Sequence, residues 1–240
     1  MAAASDLQKA LPILIAAYRQ GHPAAGPVEP VTGSSGQLAA QVRQGAPFDV
    51  FLSANREFVD KLAREGHVAP ASVRPYALGK LVVAINPVFA HHHKALEDLL
   101  DPGIKSIAIA NPELAPYGIA AKQALERRGL WDRLQGKLVP AESVHQALQF
   151  VRSGSAEVGF VSLALTDGQG LGLLPVPADA HDPIVQTLGV VARSTRQADA
   201  RAFADFLTGP IGQAMFRDLG FGPASAAAAI APNPADAPAP

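Results

Sequence analysis

Short apolar runs alternate along this chain with longer stretches whose apolar positions recur at helical spacing, and several of those stretches end on a glycine. That alternation constrains the fold more than any other feature. It is the pattern of βα units, in which strands lie side by side and helices cover them. Leu7, Leu11, Leu14, Ile15 and Tyr18 predict a first helix, with Ser5 or Asp6 as its cap. Pro12 falls inside it, where it should remove a hydrogen bond or cause a kink. Val28–Thr32 reads as a short strand. Gly33-Ser34-Ser35-Gly36 opens a helix that carries Leu38 and Val42 on one face and stops at Gly45. Phe48–Leu52, Leu81–Ile85, Ile107–Ala110, Val158–Val161 and Ile184–Ala192 read as strands. Helices are expected around Phe58–Leu62, Ala95–Leu100, Tyr117–Arg128, Val144–Val151, Phe203–Leu207 and Ile211–Leu219.

A fold of this kind places ligands at the carboxyl ends of its strands, where helix N-termini point. Three such places stand out: Ser5-Asp6, Gly33-Ser34-Ser35-Gly36 and Pro116-Tyr117-Gly118. The Gly-Ser-Ser-Gly turn suits an anion, because exposed N–H groups and hydroxyls meet at a helix start. It also suits a plain capped helix. It is neither a P-loop nor a dinucleotide fingerprint.

Composition removes several function classes. Lys+Arg number 20 and Asp+Glu 21, a net charge of −1 without the basic excess of a generic nucleic-acid binder. The chain has no cysteine, so disulfides, thiolate metal sites and cysteine nucleophiles are excluded. No apolar run is long enough for a membrane span, and no signal peptide is recognisable at the N-terminus. His91-His92-His93 are consecutive and share no helix or strand face, so a solvated loop is expected rather than a three-ligand metal site. His145 reads as a surface or rim residue, and His181-Asp182-Pro183 as a turn. No spacing of carboxylates compels an acid/base mechanism, and no catalysis or cofactor is expected. From Ala224 onward the chain is mostly Ala and Pro, which predicts a disordered tail over 224–240.

Several blocks, in order, resemble the periplasmic molybdate-binding proteins of bacterial ABC importers. They are A-A-A-S-D-L, G-S-S-G-Q-L, G-A-P-F-D-V-F-L-S-A, N-P-E-L-A-P-Y-G-I-A-A-K, G-L-W-D-R-L-Q-G-K-L-V, S-V-H-Q-A-L-Q-F-V-R-S-G, E-V-G-F-V-S and L-T-G-P-I-G-Q-A-M-F-R-D-L-G-F. The resemblance runs from about Ala2 to Phe221. It implies a two-lobed type II periplasmic binding-protein fold, each lobe a mainly parallel sheet flanked by helices. The lobes would be joined by two crossing strands, near Gly79–Val83 and Thr187–Val191. One lobe would hold residues 1–79 plus about 189–223, the other about 83–186.

The resemblance also implies a site in which neutral donors hold a tetrahedral oxyanion, molybdate or tungstate. Matched by position, Ser5 and Asp6 form the first contact segment and Ser35, with Ser34 beside it, the second. The family usually has Ser or Asn where Asp6 stands. A carboxylate there would repel a dianion, so the contact is expected from Ser5 or the Asp6 backbone. Tyr117 and Val144 are expected to contribute backbone N–H groups. Ser162 falls where the family often has a Tyr hydroxyl, and its shorter side chain is expected to reach the ligand only indirectly.

The implied partner is the membrane permease of the importer, with no nucleic acid, no membrane insertion and a monomeric protein. The alternatives are a binder of sulfate or another oxyanion, and the effector domain of a transcriptional regulator. A regulator should carry a helix-turn-helix segment, and none precedes Ser5. The family leads into A-A-A-S with a strand of about five residues behind a signal peptide. Met1 stands where that strand should end. A periplasmic protein lacking its front edge, with a gap in the first sheet, is therefore the expectation.

Overall fold

The computed structural model describes residues 1–89, 94–166 and 170–226. His91–His93 and positions 227–240 of the Ala/Pro-rich end lie outside the described residues. The strands are β1 (Ala2–Ala4), β2 (Val31–Gly33), β3 (Val50–Ser53), β4 (Arg74–Gly79), β5 (Leu81–Ile85), β6 (Ile107–Ala110), β7 (Leu138–Ala141), β8 (Val158–Ser162), β9 (Gly172–Pro175) and β10 (Ile184–Val190). The α-helices are α1 (Ala10–Gly21), α2 (Ser35–Gln44), α3 (Arg56–Arg64), α4 (Pro116–Arg127), α5 (Trp131–Leu134), α6 (Val144–Ser153), α7 (Gln197–Thr208) and α8 (Pro210–Asp218).

The strands form two five-stranded sheets, in the orders β2-β1-β3-β10-β4 and β7-β6-β8-β5-β9. β1 is parallel to both β2 and β3, and β10 is antiparallel to β3 and β4. The second sheet repeats the plan: β6 is parallel to β7 and β8, and β5 is antiparallel to β8 and β9. Each sheet thus has one reversed strand in the fourth place, and it is the strand that arrives from the other sheet. β4 passes to β5 through Lys80 alone. β10 runs whole, from Ile184 to Val190, in the first sheet, so the return passage precedes Ile184.

The expected gap in the first sheet is absent. Ala2–Ala4 are fully buried and pair on both sides, Ala2 with Val31 and Phe51 and Ala3 with Thr32 and Leu52. Three small residues suffice because neighbouring strands satisfy their backbone groups and the side chains demand little room.

The first helix also departs from expectation. Ser5–Leu7 form a 3₁₀ turn, and α1 starts only at Ala10 with Lys9 as its N-cap. Ser5 and Asp6 therefore do not cap it. Pro12 becomes the third helical residue, where a backbone N–H has no intrahelical acceptor in any case, so the proline breaks nothing. The strand expected at Val28–Thr32 is β2, confined to Val31–Gly33.

One face of the first sheet packs Leu7, Leu11, Leu14 and Tyr18 against Phe203, Leu207 and Phe216. Its other face packs Phe51 against Leu38, Val42, Val59 and Leu62 of α2 and α3. The second sheet is buried between α4 and α6, with Phe160, Leu125, Leu148 and Val151 in one continuous core.

Pro12→Ala should shift unfolding stability by less than about 1 kcal/mol, against about 3 kcal/mol for a proline in a helix interior. Urea unfolding of the two proteins checks this.

Candidate functional site

The parallel strands of each sheet end at the same edge, and the two edges face each other. β1 runs into the turn holding Ser5 and Asp6, and β2 runs into Ser34 and Ser35 at the start of α2. In the second sheet β6 leads to Tyr117 in the first turn of α4, and β7 leads to Val144, the first residue of α6. Ser5, Asp6, Ser34, Ser35, Tyr117 and Val144 line one cavity. Ala4, Gly33, Ala54, Ala115 and Pro116 complete its wall, and none of these residues is cationic. The cavity measures about 10 Å³, near the lower limit for a single water.

What converges here is a set of backbone donors. The first turn of a helix leaves its N–H groups without intrahelical partners and carries a partial positive charge. Side chains relieve few of them. The N-cap side chains of α2 and α4 make no capping bond, whereas Ser143 Oγ accepts from Gln146 N in α6 at 3.3 Å. Ser35 is fully buried, and its Oγ accepts from Ala54 N at 3.0 Å, which leaves the hydroxyl hydrogen free to donate into the cavity. Ser34 differs: its Oγ donates to the Leu114 carbonyl at 2.6 Å, so its hydrogen is committed elsewhere.

Leu114 belongs to the opposite lobe, and its carbonyl also accepts from Gly36 N at 2.9 Å. One carbonyl of the second lobe therefore takes two donors from the start of α2 in the first. A Cβ on Gly36 would stand 2.7 Å from that oxygen and 3.1 Å from Leu114 Cα, so only glycine allows this approach.

A second seam runs through Asp6, which is buried to within 1%. Asp6 Oδ2 accepts from Tyr117 OH at 2.9 Å, across the cleft, and from Gln186 Nε2 at 2.5 Å. Gln186 Oε1 in turn accepts from Tyr76 OH at 2.8 Å. The register of β10 against β4 shifts between Gln186 and Thr187, and such an irregularity re-aims a side chain. Ser162 does not line the cavity. Its Oγ donates to Tyr117 OH at 3.0 Å, one layer behind. Burial pushes the Asp6 carboxyl up to about 6, while hydrogen bonds from Tyr117, Gln186 and the backbone at Asp6 and Leu7 pull it down. Burial raises the Tyr76 and Tyr117 hydroxyls well above the usual phenol range, so both stay protonated.

Six of the seven residues singled out in the sequence thus line one cavity, and the seventh supports it. Leu114, Gln186 and Tyr76 were missed, and only the N-P-E-L-A-P-Y-G block pointed near any of them. A larger cavity, about 240 Å³, lies at the opposite edge of the first sheet against Met1, Phe48 and Phe203. The first turn of α7 borders it through Arg196, Asp199 and Ala200, and none of the three helix starts singled out in the sequence does. Among the described residues no cluster of three His, Cys, Asp or Glu could hold a metal ion.

The family described as bacterial extracellular solute-binding protein matches residues 1–222. This chain belongs to it. Its relatives include the molybdate-binding protein ModA of Rhodobacter capsulatus, 37% identical over 191 residues, spanning 79% of this chain and 75% of that protein. The molybdate-binding protein ModA of Azotobacter vinelandii is also 37% identical, over 198 residues, spanning 79% of this chain and 77% of that one. The solved structure of the periplasmic molybdate-binding protein of Azotobacter vinelandii superposes with a TM-score of 0.85 at 32% identity, covering 92% of this chain and 96% of that one. The two sheets therefore form the two-lobed architecture of periplasmic binding proteins.

Tyr117→Phe removes one of the bonds that favour the Asp6 carboxylate, so the Asp6 pKa should rise above its present value. Carboxyl-carbon NMR titration of both proteins checks the direction.

Proposed function

We propose that this protein captures molybdate, and tungstate with it, between its lobes as the solute-binding subunit of an ABC importer, without catalysing a reaction. The observation that carries the reading is the convergence of four helical starts, from both lobes, on one small cavity without a cation. At about 10 Å³ the cavity has no room for an organic solute, and it must widen as the lobes move to take even a compact anion. Backbone N–H groups and the Ser35 hydroxyl supply donors to an oxyanion that carries no proton of its own. The names of the relatives supply the metal.

In this reading Ser5, Ser35 and the backbone N–H groups at Asp6, Tyr117 and Val144 hold the oxyanion. Charge-assisted bonds of this kind contribute about 1.5–3 kcal/mol each. Part of that sum is absorbed by association and by closing the lobes. Ser34 acts on closure through Leu114, and Ser162 acts through Tyr117. The moving units are the two sheets with their helices, which part to admit the anion and close on it. The membrane permease is the partner that receives the anion, and the periplasm is the compartment. Among the described residues no helix is long and apolar enough to cross a membrane.

Calorimetry with molybdate, tungstate, sulfate and phosphate tests the function. Molybdate and tungstate should bind with micromolar or tighter affinity, and tight sulfate binding with no response to molybdate would sink the reading. Ser35→Ala should weaken molybdate binding by about 1–3 kcal/mol, and unchanged affinity would remove Ser35 from the site. Gly36→Ala should weaken it at least tenfold while thermal stability is kept, because the added methyl group obstructs closure and not the folding of either lobe.

A further inference from the structure

Asp6 is the one acidic side chain on the cavity wall. Its two oxygens are treated differently. Oδ2 receives the Tyr117 hydroxyl and the Gln186 amide, each held in turn by a neighbour, Ser162 on Tyr117 and Tyr76 on Gln186. Oδ1 is equally buried and receives no side-chain donor; the backbone N–H groups of Asp6 and Leu7 act on the carboxyl without closing a full hydrogen bond to it. With two donors already aimed at Oδ2, the oxygen open to a proton is Oδ1. A protonated Oδ1 adds a hydrogen-bond donor beside the backbone N–H groups and the Ser35 hydroxyl. An ionised Asp6 would instead face a dianion with no cation on the wall to offset it.

We propose that Asp6 takes up a proton from solvent as the lobes close on the oxyanion, and that its Oδ1–H then donates to the bound anion. Capture is thereby coupled to the uptake of about one proton. The inference rests on the oxyanion reading of the site. It goes beyond that reading by making a side chain, through its protonation, part of the binding chemistry.

The surroundings of Asp6 support the coupling. Tyr117 on α4 and Tyr76 on β4 are held neutral by burial. β8 and β10 offer only the uncharged Ser162 and Gln186. α6 packs on the turn that carries Asp6. Its His145 and Arg152 line a separate cavity together with Lys9. No charged side chain is among the groups that shift Asp6.

Burial already lifts this carboxyl to about 6 in the closed form, and an adjacent dianion lifts it further. Opening breaks the Tyr117 contact and admits water, which returns Asp6 toward the ordinary carboxylate value near 4. A group whose closed-state pKa is raised favours closure at low pH, and the advantage is lost as pH rises through the raised value. Between the open-state and the bound-state values, affinity falls about tenfold per pH unit.

The test is calorimetry of molybdate binding to the full chain between pH 6 and 8, where molybdate carries no proton. Each pH is measured in two buffers of different protonation enthalpy. The expected result is proton uptake that is greatest at the low end of this range, up to about one proton per molybdate, with binding that weakens by up to about tenfold per pH unit until the pH passes the raised value. Asp6→Asn should bind with no proton uptake and a flat pH profile. Wild-type binding without proton exchange overturns the proposal and leaves the oxyanion reading intact, whatever the variant does. Persistence of the uptake in Asp6→Asn overturns it as well. Failure of the wild-type protein to bind molybdate at every pH overturns both.

Discussion

Backbone N–H groups in the first turn of a helix have no partner within that helix, and this fold gathers them in one place. Because β1, β2, β6 and β7 are parallel within their sheets, the helical segments that follow them all begin at the same edge. Because the two edges face each other, donors from both lobes meet across a narrow gap. Most of the site follows from that arrangement. The cavity needs no lysine or arginine, which fits a chain whose overall charge is close to zero. Serine is the commonest polar side chain on its wall because a hydroxyl adds a donor without adding charge. The lobes also fasten to each other with the same material: the Leu114 carbonyl takes donors from Ser34 and Gly36 at the start of α2.

Much of this was legible in the sequence. Buried strands such as β5 and β6 show as uninterrupted apolar runs, and α2, α3, α4 and α6 show as helical periods closed by a glycine. The strands that escaped notice, β4, β7 and β9, all stand at sheet edges. An edge strand tolerates proline and polar residues because one side of its ladder is unpaired. Pro75, Pro140 and Pro175 obscure these strands for that reason. The first strand was missed differently, since Ala2–Ala4 is too short and too small to signal a strand and is fixed by its neighbours.

The site was legible where it depends on local chemistry and opaque where it depends on distance. Helix starts and the family resemblance marked Ser5, Asp6, Ser34, Ser35, Tyr117 and Val144. No local signal could show that Gln186 reaches back 180 positions to Asp6 or that Ser34 meets Leu114 80 positions away. The proline in α1 is a related case. Its position within the chain suggested damage, and only the shift of the helix start to Ala10 made it harmless.

The reversed strand in the fourth place of each sheet bears on the order in which the molecule can assemble. The second lobe is built from β5 to β9, one continuous stretch, and all its strand pairings lie within that stretch. The first lobe is not continuous: β3 and β4 are both neighbours of β10 and do not pair with each other. During synthesis the early strands therefore wait, with open edges, until the chain has passed through the whole second lobe and β10 emerges. Pairings over such separations carry the largest loop-closure cost and are slow to form. The second lobe can be complete while the first is still unsealed. The strand that closes the first lobe, Ile184–Val190, also brings Gln186 to Asp6. The last strand to be sewn in thus finishes the candidate site as well as the sheet.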